Sequence, residues 1–456
     1  MAEGINYLFN LLLKSKYLVI LSVIIEALLF YFYYFPETKI LLGDENRYLQ
    51  TGLSIASGGN WHSHPFWPPM QSIVIAVFAK IFHYPILPLQ LFQYSLLLLS
   101  GFIVRDITYR ETKNQTAAQL ALAVMIIYPS WLAYSQYLWP EVIHVLLFVC
   151  IIWINKYKHQ EYKWMLLSGI LLGLVILFKS LLILFIPFLY LPLIINSHWK
   201  NNILKIILSL LVAIVVVVPA SFKAHQMTGG WMVANSSMFN LNLGLHDDSR
   251  QHFSHKIAGA HYNQYQSSAD SFQQRNQIVK QKALTKIKQT GYLNTFIQQL
   301  NKQYYRLFDY QSFFSQQFQG DVKDNYLSKY HIRHDGFLVM MVLIFNTVFY
   351  TFIMAAMLLG LIVSVKKSII AQQFAWFLLY ILGLFFLLHA IPRFRIPLVP
   401  IMGFYSGYLY YYIQTKKSES VTVIFNSKNR IVLTVIMILV MFLLFSANVL
   451  DKYFPI

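Results

Sequence analysis

The chain alternates long apolar runs with short polar breaks. About 20 apolar residues in a helix cross a bilayer. Runs of that length, or somewhat shorter, occur at 17–35, 86–104, 116–135, 140–155, 164–178, 180–195, 203–220, 337–363, 369–389, 396–413 and 431–449. They predict an all-α polytopic membrane protein with about eleven spans. Two stretches break the pattern. The first, 36–85, contains Pro68-Pro69 and then an apolar piece, 70–82, too short to span. That piece predicts a helix lying at the interface. The second, 222–335, is polar and rich in Gln, Asn and Tyr. Within it apolar positions such as Ile278, Ala283, Ile287, Leu293, Ile297 and Leu300 recur roughly three or four apart, which predicts helix over 270–308. The chain therefore divides into an N-terminal membrane module, 1–221, with its first external loop at 36–85. A small external domain, 222–335, and C-terminal membrane helices, 336–456, follow.

Charge orients this scheme. The 456 residues are 57% hydrophobic and 12% charged, yet the net charge is +18. Soluble proteins are about 25% charged. Lys14 and Lys16 precede the first span. Alternate loops then carry Arg105, Arg110 and Lys113; Lys156, Lys158 and Lys163; Lys200 and Lys205; Lys366 and Lys367; and Lys416, Lys417, Lys428 and Arg430. The positive-inside rule places all of these in the cytoplasm, with the N-terminus in and the C-terminus out. The basic balance thus follows from topology, and no nucleic-acid partner is expected. The external segment holds thirteen basic residues against seven acids, so a mildly basic surface facing anionic lipid or glycan is expected there. The start, MAEGINYLFNLLLKSK, lacks a basic n-region and a small-residue cleavage site, so the first span reads as a retained anchor. The single cysteine, Cys150, leaves no internal disulfide and no cysteine metal site.

The charges that violate the topology carry the chemistry. Charges in or beside spans are costly and need a partner or a purpose. Asp44-Glu45 follows the first span and fits a metal site, a general base or a solvated turn. Glu141 opens a span, where an acid meets the positive end of the helix dipole or adds a second carboxylate to the outer face. Arg393 and Arg395 also open a span, where they either grip an anion or snorkel to lipid phosphate. Lys179, between two closely spaced spans, has the same two readings. Glu26 lies mid-span and reads as structurally paired. His62 and His64 have metal-ligand spacing without a third ligand nearby, and His246-Asp247-Asp248 reads as a solvated turn.

Four passages together resemble the GT-C membrane glycosyltransferases that use polyprenyl-phosphate sugars. They are most similar to the protein O-mannosyltransferase and lipid A aminoarabinose transferase branch. They are Gly43-Asp44-Glu45-Asn46-Arg47-Tyr48, His64-Pro65-Phe66-Trp67-Pro68-Pro69, Tyr137-Leu138-Trp139-Pro140-Glu141 and Pro392-Arg393-Phe394-Arg395-Ile396-Pro397-Leu398. A weaker likeness lies in Asn235 to Gly244. The resemblance implies a GT-C-like fold and an inverting sugar transfer to a hydroxyl of a lipid, glycan or protein. It implies Asp44 as general base, with Glu45 and Glu141 as the accompanying acids. Arg393, Arg395, Lys179 and His64 would hold the donor phosphate. Arg47, Tyr48 and Trp67 would bind substrate; Trp67 stands where some relatives carry a lysine. No cofactor is implied; a divalent metal is possible but not indicated. The plain N-terminus and size suit a bacterial inner membrane with the site facing the periplasm. The rival readings are a transporter or channel, with Glu26 and Glu141 on an ion path, and a surface-polysaccharide ligase or polymerase.

Overall fold

The computed structural model describes residues 14–30, 41–62, 66–195, 199–247, 255–309 and 336–415. The expected span at 431–449, and His64, lie outside them. The described chain is helical, and no strand occurs among these residues. Its helices are α1 (Ser15–Leu29), α2 (Glu45–Ala56), α3 (Met70–Ile81), α4 (Ile86–Thr112), α5 (Gln115–Ile127), α6 (Glu141–Tyr157) and α7 (Tyr162–Phe178). After these come α8 (Trp199–Thr228), α9 (Ser237–His246), α10 (His255–Ser267), α11 (Phe272–Thr290), α12 (Tyr292–Leu307), α13 (Gly336–Ser364), α14 (Ile369–Leu387) and α15 (Val399–Thr415). The protein is a multi-pass membrane protein. The helices α4, α8, α13 and α14 are each long and apolar enough to cross a bilayer.

Three expected spans are shaped differently from a straight helix, and prolines account for each. The run at 116–135 bends by 56° where Tyr128 turns extended before Pro129. A residue preceding proline is pushed out of the helical region. The run at 180–195 is a 3₁₀ turn, Ser180–Phe185, followed by Ile186–Leu189 and Leu191–Ile194, with Pro187 and Pro192 at the first positions of the short helices. At 396–413 the helix starts at Val399, because Pro392–Leu398 forms a 3₁₀ turn containing Pro397.

The core lies where α4, α5, α6, α13 and α15 meet. Small residues allow the backbones to approach closely, as in other membrane bundles. A Cβ at Gly407 of α15 would run into the Ala117 carbonyl of α5, and one at Gly169 of α7 into the Ser209 carbonyl of α8. Glu26 of α1 accepts hydrogen bonds from Ser135 (2.5 Å) and Gln136. It is a paired group inside the bundle. The helices α9 to α12 fall in the polar segment 222–335, and the helix expected over 270–308 is the pair α11 and α12. The short apolar stretch 70–82 is helical as α3.

Candidate active site

Four chain segments converge at one end of the bundle. The first is the N-terminus of α2. Gly43 has a φ of 54°, a left-handed conformation that glycine adopts without strain, and it turns the chain so that Asp44 and Glu45 open the helix. The second is the N-terminus of α6, where Glu141 follows Pro140. The third is Lys179, at the C-terminus of α7, where a cation complements the helix dipole. The fourth is Arg393 in the 3₁₀ turn before α15.

Their side chains form one chain of ion pairs. Arg393 Nη2 lies 2.8 Å from Asp44 Oδ2, and Arg393 Nε lies 3.2 Å from Glu141 Oε1. Lys179 Nζ donates to the same Glu141 oxygen at 3.0 Å. The guanidinium also sits 4.7 Å above the Trp139 ring, and Lys179 sits 4.8 Å above Phe394. Two acids thus balance two bases. Exposure separates them: the Asp44 side chain is 28% exposed and that of Glu141 1%. Asp44 is open to solvent, whereas Glu141 is almost fully covered at the cavity wall. Burial works against the Arg393 charge, but Glu141 and then Asp44 outweigh it and hold its pKa above the ordinary guanidinium value. For Lys179 the balance is reversed, and burial lowers its pKa despite Glu141. The Tyr48 phenol is raised by burial first and by Asp44 next, so it remains protonated.

The cluster lines a cavity of about 600 Å³. Asp44, Arg47, Tyr48, Trp67, Glu141, Lys179 and Arg393 all contribute to its wall. Arg47 lies 5.1 Å above the Trp67 ring and 3.4 Å from the Tyr262 hydroxyl of α10. Residues of α9 and α10 therefore form part of the cavity wall. Phe66, Phe239 and Tyr262 also line the cavity, and with Tyr265 they pack as one aromatic cluster.

Two of the predicted site residues stand elsewhere. Glu45 is buried, and its two carboxylate oxygens accept the backbone N–H groups of Leu42 and Leu138, each at 2.8 Å. It ties the α2 turn to the approach to α6, and it is not part of the cavity wall. Arg395 is also buried. It donates to the carbonyls of Leu307 (3.2 Å) and Asp309 and packs on Tyr350 at 4.5 Å. It anchors the end of α12 to the bundle. His62 does not stand with a ligand set; its Nε2 lies 3.1 Å from the Val233 carbonyl. Among the described residues no three His, Cys, Asp or Glu side chains gather as a metal site.

One feature corrects the sequence reading. Asp247, expected in a solvated turn, is buried and pairs with Arg306 at 3.0 Å. Gln303, one turn earlier on α12, donates to the Gly244 carbonyl at 3.0 Å and accepts from the Ala390 N–H at 2.8 Å. The His389 N–H donates to the Asn240 carbonyl at 3.0 Å. These bonds clamp the segment leading to Arg393 against α9 and α12. The available signal was the pair of polar residues, three apart, on an otherwise amphipathic helix.

Residues 63–222 match the family model described as dolichyl-phosphate-mannose-protein mannosyltransferase. The apo oligosaccharyltransferase of Archaeoglobus fulgidus has a similar structure, at a TM-score of 0.50 and 14% identity, over 96% of this chain and 56% of that one. The fold resembles that of the GT-C glycosyltransferases. The chain thus spans little more than half of the archaeal enzyme. ArnT from Cupriavidus metallidurans, bound to undecaprenyl phosphate, matches at a TM-score of 0.40 and 14% identity, over 92% of this chain and 80% of that one. No curated protein sequence matches the chain.

Proposed function

We propose that the protein is a membrane glycosyltransferase. It moves a sugar from a polyprenyl-phosphate donor to a hydroxyl acceptor on a lipid, glycan or protein. The observation that carries this reading is Arg393 bridging Asp44 and Glu141 at the wall of a cavity, with Lys179 on the same Glu141 oxygen. The matched family model and the undecaprenyl phosphate and dolichol-phosphate held by ArnT and by the archaeal oligosaccharyltransferase support a lipid-phosphate donor.

Asp44 accepts the proton of the acceptor hydroxyl. The oxygen attacks the anomeric carbon from the face opposite the phosphate, so the configuration inverts. The bond from that carbon to the phosphate oxygen breaks, and polyprenyl phosphate departs with the electron pair. Arg393 and Lys179 are the cations that meet the charge developing on the phosphate. Glu141 holds both cations in place and is too deeply buried to take the acceptor proton itself. Arg47, Tyr48 and Trp67 bind substrate at the cavity wall. Glu45 and Arg395 position the site from behind. The lipid tail lies along the apolar flank of the bundle, beside the interfacial helix α3. The positive-inside pattern supports a site on the exterior face of a bacterial inner membrane.

The test uses purified protein in liposomes with a radiolabelled polyprenyl-phosphate sugar and a lipid extract as acceptor. Time-dependent release of free polyprenyl phosphate, with label passing to the acceptor, supports transfer. Movement of solute across the liposome with the donor left intact overturns it in favour of transport.

A further inference from the structure

The helix α12 carries an apolar stripe, interrupted near its C-terminus by Gln303. Tyr292, Leu293, Phe296, Ile297, Leu300, Tyr304 and Leu307 fall within about 140° of the helix circumference. The two halves of that stripe differ in their cover. Towards the C-terminus, Leu307 is buried and the Tyr304 hydroxyl donates to the Leu382 carbonyl of α14 at 3.0 Å. Towards the N-terminus the stripe is bare: Tyr292 is 77% exposed and Leu293 70%, with Phe296 and Ile297 also exposed. Phe296 touches Phe386 of α14, ring to ring at 5.0 Å, and the next residue, Leu387, is exposed. The bare half is thus continuous with the exposed apolar flank of a membrane-crossing helix at its end.

Charge identifies what covers it. From Ser271 to Phe308 there is no acid, while Arg275, Lys280, Lys282, Lys286, Lys288, Lys302 and Arg306 are present. Lys286 and Lys288 lie in the last turn and a half of α11, directly before the corner at Gly291, whose φ of 82° reverses the chain. An apolar helix face beside a cluster of lysines suits a lipid surface bearing negative headgroups. Repelling a second, equally basic copy follows from the same charges.

We propose that the α11–α12 corner docks on the anionic headgroup layer of the protein's own membrane, with Tyr292, Leu293, Phe296 and Ile297 seated at the headgroup–acyl boundary. The C-terminal half of the same helix carries Gln303 and Arg306, which clamp Ala390 and Asp247. Lipid charge therefore acts on the placement of the segment that delivers Arg393.

The test needs no sugar transfer. Full-length protein with Cys150→Ala carries an environment-sensitive fluorophore at Leu293→Cys or, on the exposed polar face, at Gln298→Cys. It is placed in nanodiscs of phosphatidylcholine with or without phosphatidylglycerol, doped with lipid bearing a quencher in the upper acyl chain. Docking gives blue-shifted, quenched emission at position 293 and water-like, unquenched emission at 298. Lys286→Glu with Lys288→Glu then reduces the quenching at 293 in the phosphatidylglycerol discs more than in phosphatidylcholine alone. Water-like emission at 293, or equal quenching at both positions, overturns the proposal. A blue shift without quenching also overturns it, because protein such as a second copy then covers the face.

Discussion

Two charged clusters share the short segment from His389 to Arg395, and they differ in what they leave open. Around Arg393, two acids and two bases line a cavity, and Asp44 retains contact with solvent. Around Arg306, the ion pair with Asp247 is closed on both sides. The residue types are the same, and so is the end of the bundle. A sealed pair spends its hydrogen bonds on holding backbone, as Gln303 does for Gly244 and Ala390. An open one keeps a carboxylate and cations available to a ligand. The contrast repeats within one motif: Arg393 faces the cavity, whereas Arg395 faces Leu307, Asp309 and Tyr350. Exposure, more than residue type, distinguishes chemistry from support.

Substitutions in the two clusters should therefore fail in different ways. Replacing Asp247 with Ala removes the buried ion pair between Asp247 and Arg306, and breaking such pairs costs about 3–5 kcal/mol. Thermal unfolding in detergent should show that loss for Asp247→Ala, and equal stability of wild type and variant would break the comparison. Arg393→Ala should act on turnover instead. Loss of one group that stabilises developing charge lowers rates by about 10²–10³-fold. Donor saturation kinetics check this, with Arg395→Ala expected to melt earlier rather than to lose affinity for the donor. Glu45→Gln sharpens the contrast further. It turns one of two accepting oxygens into a donor facing a backbone N–H, and an unsatisfied buried group costs about 1–3 kcal/mol. Melting should register that cost, with the donor KM unchanged.

The smallest expected effect concerns pH. His62 is buried against Val233, and burial holds its pKa below the ordinary imidazole value. The unfolded chain then binds more protons than the folded one as pH falls below about 6.5. The neutral histidine thus contributes stability that is present above that pH and is lost below it. A pH series of melting temperatures should show a shallower acid-side decline in His62→Gln than in wild type.

Much of the site was legible because charge has few places to stand near a bilayer. Lys179 and Arg393 stand out as cations on the wrong side for topology, Asp44 and Glu141 as acids beside spans, and the four meet in one cluster. The division of labour within motifs was not legible. Residues two apart in a 3₁₀ turn of three residues point in widely different directions, so Arg393 and Arg395 part company. Glu45 looked equivalent to Asp44 until the fold brought the Leu138 N–H to it from 93 positions away. Asp247 looked solvated because its partner, Arg306, lies 59 residues further on. Hydropathy alone does not weigh Pro129, Pro187 and Pro192, so the bends and breaks they impose are absent from a pattern of straight spans.

The most direct test of the account is the single-turnover release of polyprenyl phosphate by Asp44→Asn protein in liposomes, measured beside wild type. Asparagine keeps the shape of the side chain but cannot take the acceptor proton, and Arg393 retains Glu141. General-base action contributes about 10²–10⁴-fold, so the account predicts a loss of that size with an unchanged melting temperature. Release at close to the wild-type rate would contradict it and remove Asp44 from the reaction.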